Sequence, residues 1–92
     1  MSTQEEQLVM AGDEAGAVLS SAAFNSVIND LVERSFQNFV NSDPADKDKR
    51  EYSYNHYRGL VDVVDTLKQR VQVRDSIVEQ QNADNRQEET AP

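Results

Sequence analysis

The most constraining stretch of this chain is Tyr57-Arg-Gly-Leu-Val-Asp-Val-Val-Asp-Thr-Leu-Lys-Gln-Arg-Val71. Leu60, Val64, Leu67 and Val71 recur in it at steps of four, three and four. A helix turns once every 3.6 residues, so this spacing gathers the four side chains into a narrow apolar seam. Tyr57 and Val61 widen the seam toward its N-terminal end. A seam this narrow on a polar helix requires something packed against it, and the rest of the chain has to supply it.

The residues just upstream fit that role. Phe24, Val27, Ile28, Leu31, Phe36, Phe39 and Val40 follow helical spacing, with Ser35 filling one gap. Ser20 or Ser21 is placed to cap the start of this helix. Asn41-Ser-Asp-Pro-Ala-Asp46 is the clearest punctuation in the chain. Proline disfavours helix at the residue before it and is welcome at a first helical position. One helix is therefore expected over residues 17–41, a turn over 41–44, and a second helix over 44–81 with Asp43 capping it. A turn this short makes the two helices antiparallel neighbours. The expected fold class is all-α: an antiparallel helical hairpin with a long second helix, disordered acidic termini and coiled-coil-like self-association. Its core is assigned to Phe24, Ile28, Leu31, Phe36 and Phe39 against Tyr57, Leu60, Val64 and Leu67. Tyr54 and Val61 share the face opposite the phenylalanines, and Tyr52 stands outside it. Gly59 weakens the second helix, and close approach of the first helix is one reason for it to be there.

Length then matters. At 1.5 Å per residue the first helix is roughly 30–35 Å long and the second roughly 55 Å. The first covers the second only to about residue 68. Val71, Val73, Ile77 and Val78 are left as an overhang, which the seam enters imperfectly because Arg74 occupies its next position. Either Leu8-Val9-Met10 folds back onto the overhang or another chain covers it, and another chain is favoured. Residues 1–16 read as an acidic flexible tail, with Ser2 or Thr3 and Glu5 or Glu6 available to cap a short helix. Residues 82–92 read as a disordered tail.

Composition removes most chemistry. The sequence has no cysteine, which excludes disulfides and thiolate metal sites, and a single histidine, His56. His56 beside Tyr54 and Tyr57 reads as a surface or packing residue. No Gly-rich phosphate loop or paired-carboxylate motif stands out. Asp43, Asp46 and Asp48 lack the glycine and distal glutamate of a calcium loop. No catalytic residue, cofactor or metal ligand is expected. No apolar run is long enough to span a membrane, and the N-terminal residues lack a secretion signal. The expected location is a cytoplasm or a particle assembled there. The formal net charge is -8, which argues against a general nucleic-acid binder. A local excess of base over residues 47–74 keeps only a weak form of that idea.

The run Phe24-Asn-Ser-Val-Ile-Asn-Asp-Leu-Val-Glu-Arg-Ser-Phe36 resembles small helical proteins of tailed bacteriophages, encoded near head and DNA-packaging genes. So do Asp43-Pro-Ala-Asp-Lys-Asp-Lys-Arg-Glu-Tyr52 and Tyr57-Arg-Gly-Leu-Val-Asp-Val-Val64. The likeness spans residues 24–81 and lies in the general pattern rather than in a diagnostic motif. A short acidic loop leads into a Lys-Arg-Glu helix start, and an aromatic and aliphatic arm follows. The resemblance implies a virion component or a scaffolding-like, head-associated assembly factor, whose partners are itself and other proteins, phage structural proteins among them. It makes the expected location a host cytoplasm or a virion. Two other readings stand beside it. One is an acidic inhibitor of a host nucleic-acid-binding protein, and the other is a small DNA-packaging subunit.

Overall fold

The computed structural model describes residues 3–90, and the side chains of residues 3–86. The fold is all-α. Helix α1 spans Thr3–Leu19, α2 spans Ala22–Val40 and α3 spans Lys47–Thr90. The chain divides into two compact units. One joins α2 to the first part of α3, and the other joins α1 to the second part of α3.

In the first unit, residues 19–66, the helices are separated where the sequence places its punctuation. Ser21 is extended (φ -73°, ψ 123°), and its Oγ accepts from the Phe24 amide at 3.2 Å. Asn25 Nδ2 donates to the carbonyls of Leu19 and Ser21, each at 2.9 Å. These contacts end one helix and start the next, so residues 17–19 belong to α1 and not, as expected, to α2. The turn after α2 also starts its helix later than expected. Ser42 Oγ donates to the Phe39 carbonyl at 2.6 Å, and Asp43 Oδ1 accepts from the Ala45 amide at 2.9 Å. Asp46 Oδ1 then accepts from the Lys49 amide at 3.1 Å. Asp46 is thus the residue that caps α3, while Asp43 shapes the turn across Pro44. Ser35 of α2 meets His56 of α3, and Phe39 meets Arg50, so the two segments run antiparallel.

The second unit corrects the expectation of a flexible N-terminal tail. Residues 3–19 form one helix, α1, which packs antiparallel on residues 67 onward of α3. Gly12 lies so close to α3 that an added Cβ would overlap Arg74 Cβ and stand 2.8 Å from the Arg70 carbonyl oxygen. Gly12 and Ala15 are buried, and Ala11 and Gly16 are half-buried beside them. Glycine lowers helix propensity, which is why Gly12 and Gly16 read as breakers in the sequence. Here Gly12 serves close backbone approach instead. Arg74 finds its role in the same place. Its Nη1 donates to Asp13 of α1 at 3.0 Å, and its Nε and Nη2 donate to Asp75 at 3.1 and 2.9 Å. The hydrogen bonds to Asp75 and then to Asp13 raise the guanidinium above its ordinary value. A raised cation contributes its stability below its unfolded-state value and loses it only as pH rises through the folded one. The Asp13–Arg74 contact therefore suffers no loss of the cation at neutral or moderately alkaline pH.

Along α3 the least exposed positions include Arg50, Ser53, Leu60, Val64, Leu67, Val71, Arg74, Ile77 and Gln81. The apolar seam thus continues at both ends through small or polar residues. The helix itself continues to Thr90, beyond the expected end at residue 81 and into the region expected to be disordered. Gly59 is the other correction: an added Cβ there would meet open space, so no close approach accounts for it.

Candidate interaction surface

The expected hairpin core divides in two. Phe24, Ile28, Leu31, Leu60, Val64 and Leu67 are half-buried. Phe36, Phe39 and Tyr57 are exposed, at 57%, 37% and 39% of their surface. The reason lies in the serines. Ser35 and Ser53 are buried at the level where α2 crosses α3, at 3% and 4% exposure. Small side chains occupy the contact line, and the rings one and four residues beyond them, Phe36 and Phe39 after Ser35 and Tyr54 and Tyr57 after Ser53, lie on its flank.

Those displaced rings form a surface of their own. Phe36 and Phe39 from α2 and Tyr54 and Tyr57 from α3 line one groove of about 410 Å³, together with Val32, Glu33, Ser35 and Ser53. Both helices carry the required stripe: Val32, Phe36 and Phe39 on one, Tyr54 and Tyr57 on the other, at steps of three and four. The expectation that Tyr54 and Tyr57 face the phenylalanines is met, but across a solvent-open groove. Tyr54 is 55% exposed. The Arg50 guanidinium stands 4.9 Å from the Phe39 ring centroid, a cation–π contact at one end of the groove. Lys47 and Glu51 lie at that same end, beside Phe39, Arg50 and Tyr54.

On the other flank, Ser35 Oγ and His56 Nδ1 are 2.6 Å apart. Tyr52 stacks on His56, with centroids 6.4 Å apart and planes inclined by 19°. Tyr52 thus lies outside the phenylalanine face, as expected. A serine next to a histidine resembles half of a nucleophilic pair, but a working pair also needs a group orienting the imidazole and donors for an oxyanion. Among the described residues no carboxylate hydrogen-bonds the His56 ring, and Ser35 is buried mid-helix. The geometry is that of a packing hydrogen bond. Asp43 and Asp46 use carboxylate oxygens in the turn and the cap, and among the described residues no cluster of three acidic, histidine or cysteine side chains could hold a metal ion. No helix among the described residues is long and apolar enough to cross a membrane.

The overhang residues are also divided. Val71 and Ile77 are half-buried, while Val73 and Val78 are exposed. Leu8 of α1 lines a hollow of about 640 Å³ with Val73 and Ile77, whose other walls are largely glutamine and carboxylate. An added Cβ at Gly16 would lie 3.9 Å from Val71 Cγ2. The chain's own N-terminal helix therefore occupies ground that the sequence assigns by preference to another chain. Sequence reasoning left out Val32 and placed Tyr54 on the hairpin's inner face rather than on an open surface. The signal for them was a second helical stripe beside the first, read as one broad face. The chain matches no protein-family model, and no curated protein or solved structure is similar to it.

Proposed function

We propose that this chain is a non-enzymatic helical protein that acts through protein–protein contacts, associating with copies of itself and with other proteins. Its setting is a tailed-phage particle or the assembly of one, in the host cytoplasm or the virion. One observation carries the reading: among the described residues no large side chain is fully buried, while thirteen large hydrophobic ones are exposed. Ala15 is the single buried hydrophobic residue among them. A chain of this size gains little stability from so thin a core, and small helical chains commonly complete theirs by association. Four of these exposed side chains, Phe36, Phe39, Tyr54 and Tyr57, line one groove. The phage setting is supported by the resemblance over residues 24–81.

Sedimentation equilibrium across protein and salt concentration tests the self-association. A mass that rises with protein concentration and persists in high salt is expected, because apolar contacts are not screened. A single monomer mass throughout contradicts it.

A further inference from the structure

We infer that the groove formed by Phe36, Phe39, Tyr54 and Tyr57 is the contact between two copies of this chain, docked antiparallel about a two-fold axis perpendicular to the groove. The inference rests on the self-association proposed above and names its surface and direction.

Three features of the groove point to a second copy. First, its charges are arranged for self-pairing. Glu33 lines the groove with Tyr57, and Lys47, Arg50 and Glu51 lie together beside Phe39. The groove therefore carries one negative charge at the Tyr57 end and a net single positive charge at the Phe39 end. A two-fold interface places each residue against its symmetry mate's partner: if residue i meets j, then j meets i. In the antiparallel arrangement Glu33 of each copy meets the Lys47–Arg50 end of the other. In the parallel arrangement both Glu33 carboxylates would lie at one end of the interface and both Lys47–Arg50 clusters at the other, which gathers like charges and leaves them unpaired.

Second, the spans match. From Glu33 to Phe39 is six residues of helix and from Arg50 to Tyr57 is seven, roughly 9 and 10 Å along the axis. The two ends of the groove are thus about the same distance apart on both walls, and the two-fold axis repeats the first Glu33 pairing as the second.

Third, the area suits an interface core. Four rings of which about half is exposed present roughly 300–450 Å² of surface per copy, part of it in the groove and part on the adjoining face beside Arg50. That is about half of what each partner contributes to a standard interface, leaving the remainder to a polar rim. Aromatic anchors ringed by charge are the usual energetic centre of such contacts. Elsewhere a chain of net charge -8 repels its copy, which favours contact where the lining is apolar and the charges pair.

Introduced thiols test this cleanly, since the sequence has no cysteine. Glu33→Cys and Arg50→Cys chains are mixed and treated with a short thiol bridge. Mixed 33–50 dimers should dominate over either homotypic product. In parallel, Phe36→Asp should weaken self-association by roughly 30-fold or more, with helical content kept because Phe36 is already exposed. Dominant 33–33 products would overturn the antiparallel geometry. An oligomer unaffected by Phe36→Asp, or one lacking any cross-link from either position, would overturn the surface while leaving self-association standing. A wild-type chain that stays monomeric at every concentration would remove both.

Discussion

At the scale of single residues, two glycines within helices have opposite roles. Gly12 lies against Arg74 and the Arg70 carbonyl, whereas Gly59 faces open space. Gly12→Ala should therefore destabilise the protein by about 1–3 kcal/mol through overpacking. Gly59→Ala should stabilise it by roughly 0.5–1 kcal/mol, by improving helix propensity and restricting the unfolded chain. Urea denaturation of the two variants beside the wild type checks both signs. Ser35→Ala removes the 2.6 Å contact with His56 and should cost about 0.5–1.5 kcal/mol in the same experiment. These distinctions were not legible in the sequence. Apolar type marks Phe36 and Phe39 as core, yet the buried line passes through Ser35 and Ser53. Which of two adjacent stripes becomes the contact depends on how closely the helix axes approach, and small residues set that distance.

At the scale of elements, the sequence was legible where side chains act locally. The break between α2 and α3 lies at the Asp-Pro turn, and Ser21 caps α2, because caps and prolines act within three or four residues of themselves. Ser21→Ala should cost about 1 kcal/mol and Asp46→Ala a similar amount, each seen as a lowered denaturation midpoint. Helix α1 was illegible for the complementary reason. Alone, a short acidic helix with two glycines is marginal. Its stability comes from residues some sixty positions away, through Gly12 against Arg70 and Arg74 and through Asp13 with Arg74. Asp13→Asn should speed amide hydrogen exchange across α1, and added salt should do the same to the wild type by screening the exposed pair. Equal exchange in the variant and the wild type would show that packing alone holds α1.

At the scale of the whole molecule, the protein is a set of half-buried helical faces without a deep core among its described residues. The sequence pointed to association through the Val71 to Val78 overhang, and α1 supplies part of that cover from within the chain. Four of the thirteen exposed large hydrophobic residues, Phe36, Phe39, Tyr54 and Tyr57, converge in the aromatic groove. The most direct measurement is two-dimensional NMR of the aromatic and methyl groups across a series of protein concentrations. Ring signals of Phe36, Phe39, Tyr54 and Tyr57 should shift or broaden as concentration rises, while the methyls of Met10 and Val78 stay fixed. Spectra that do not change with concentration, or changes confined to Val73 and Val78, would contradict the account.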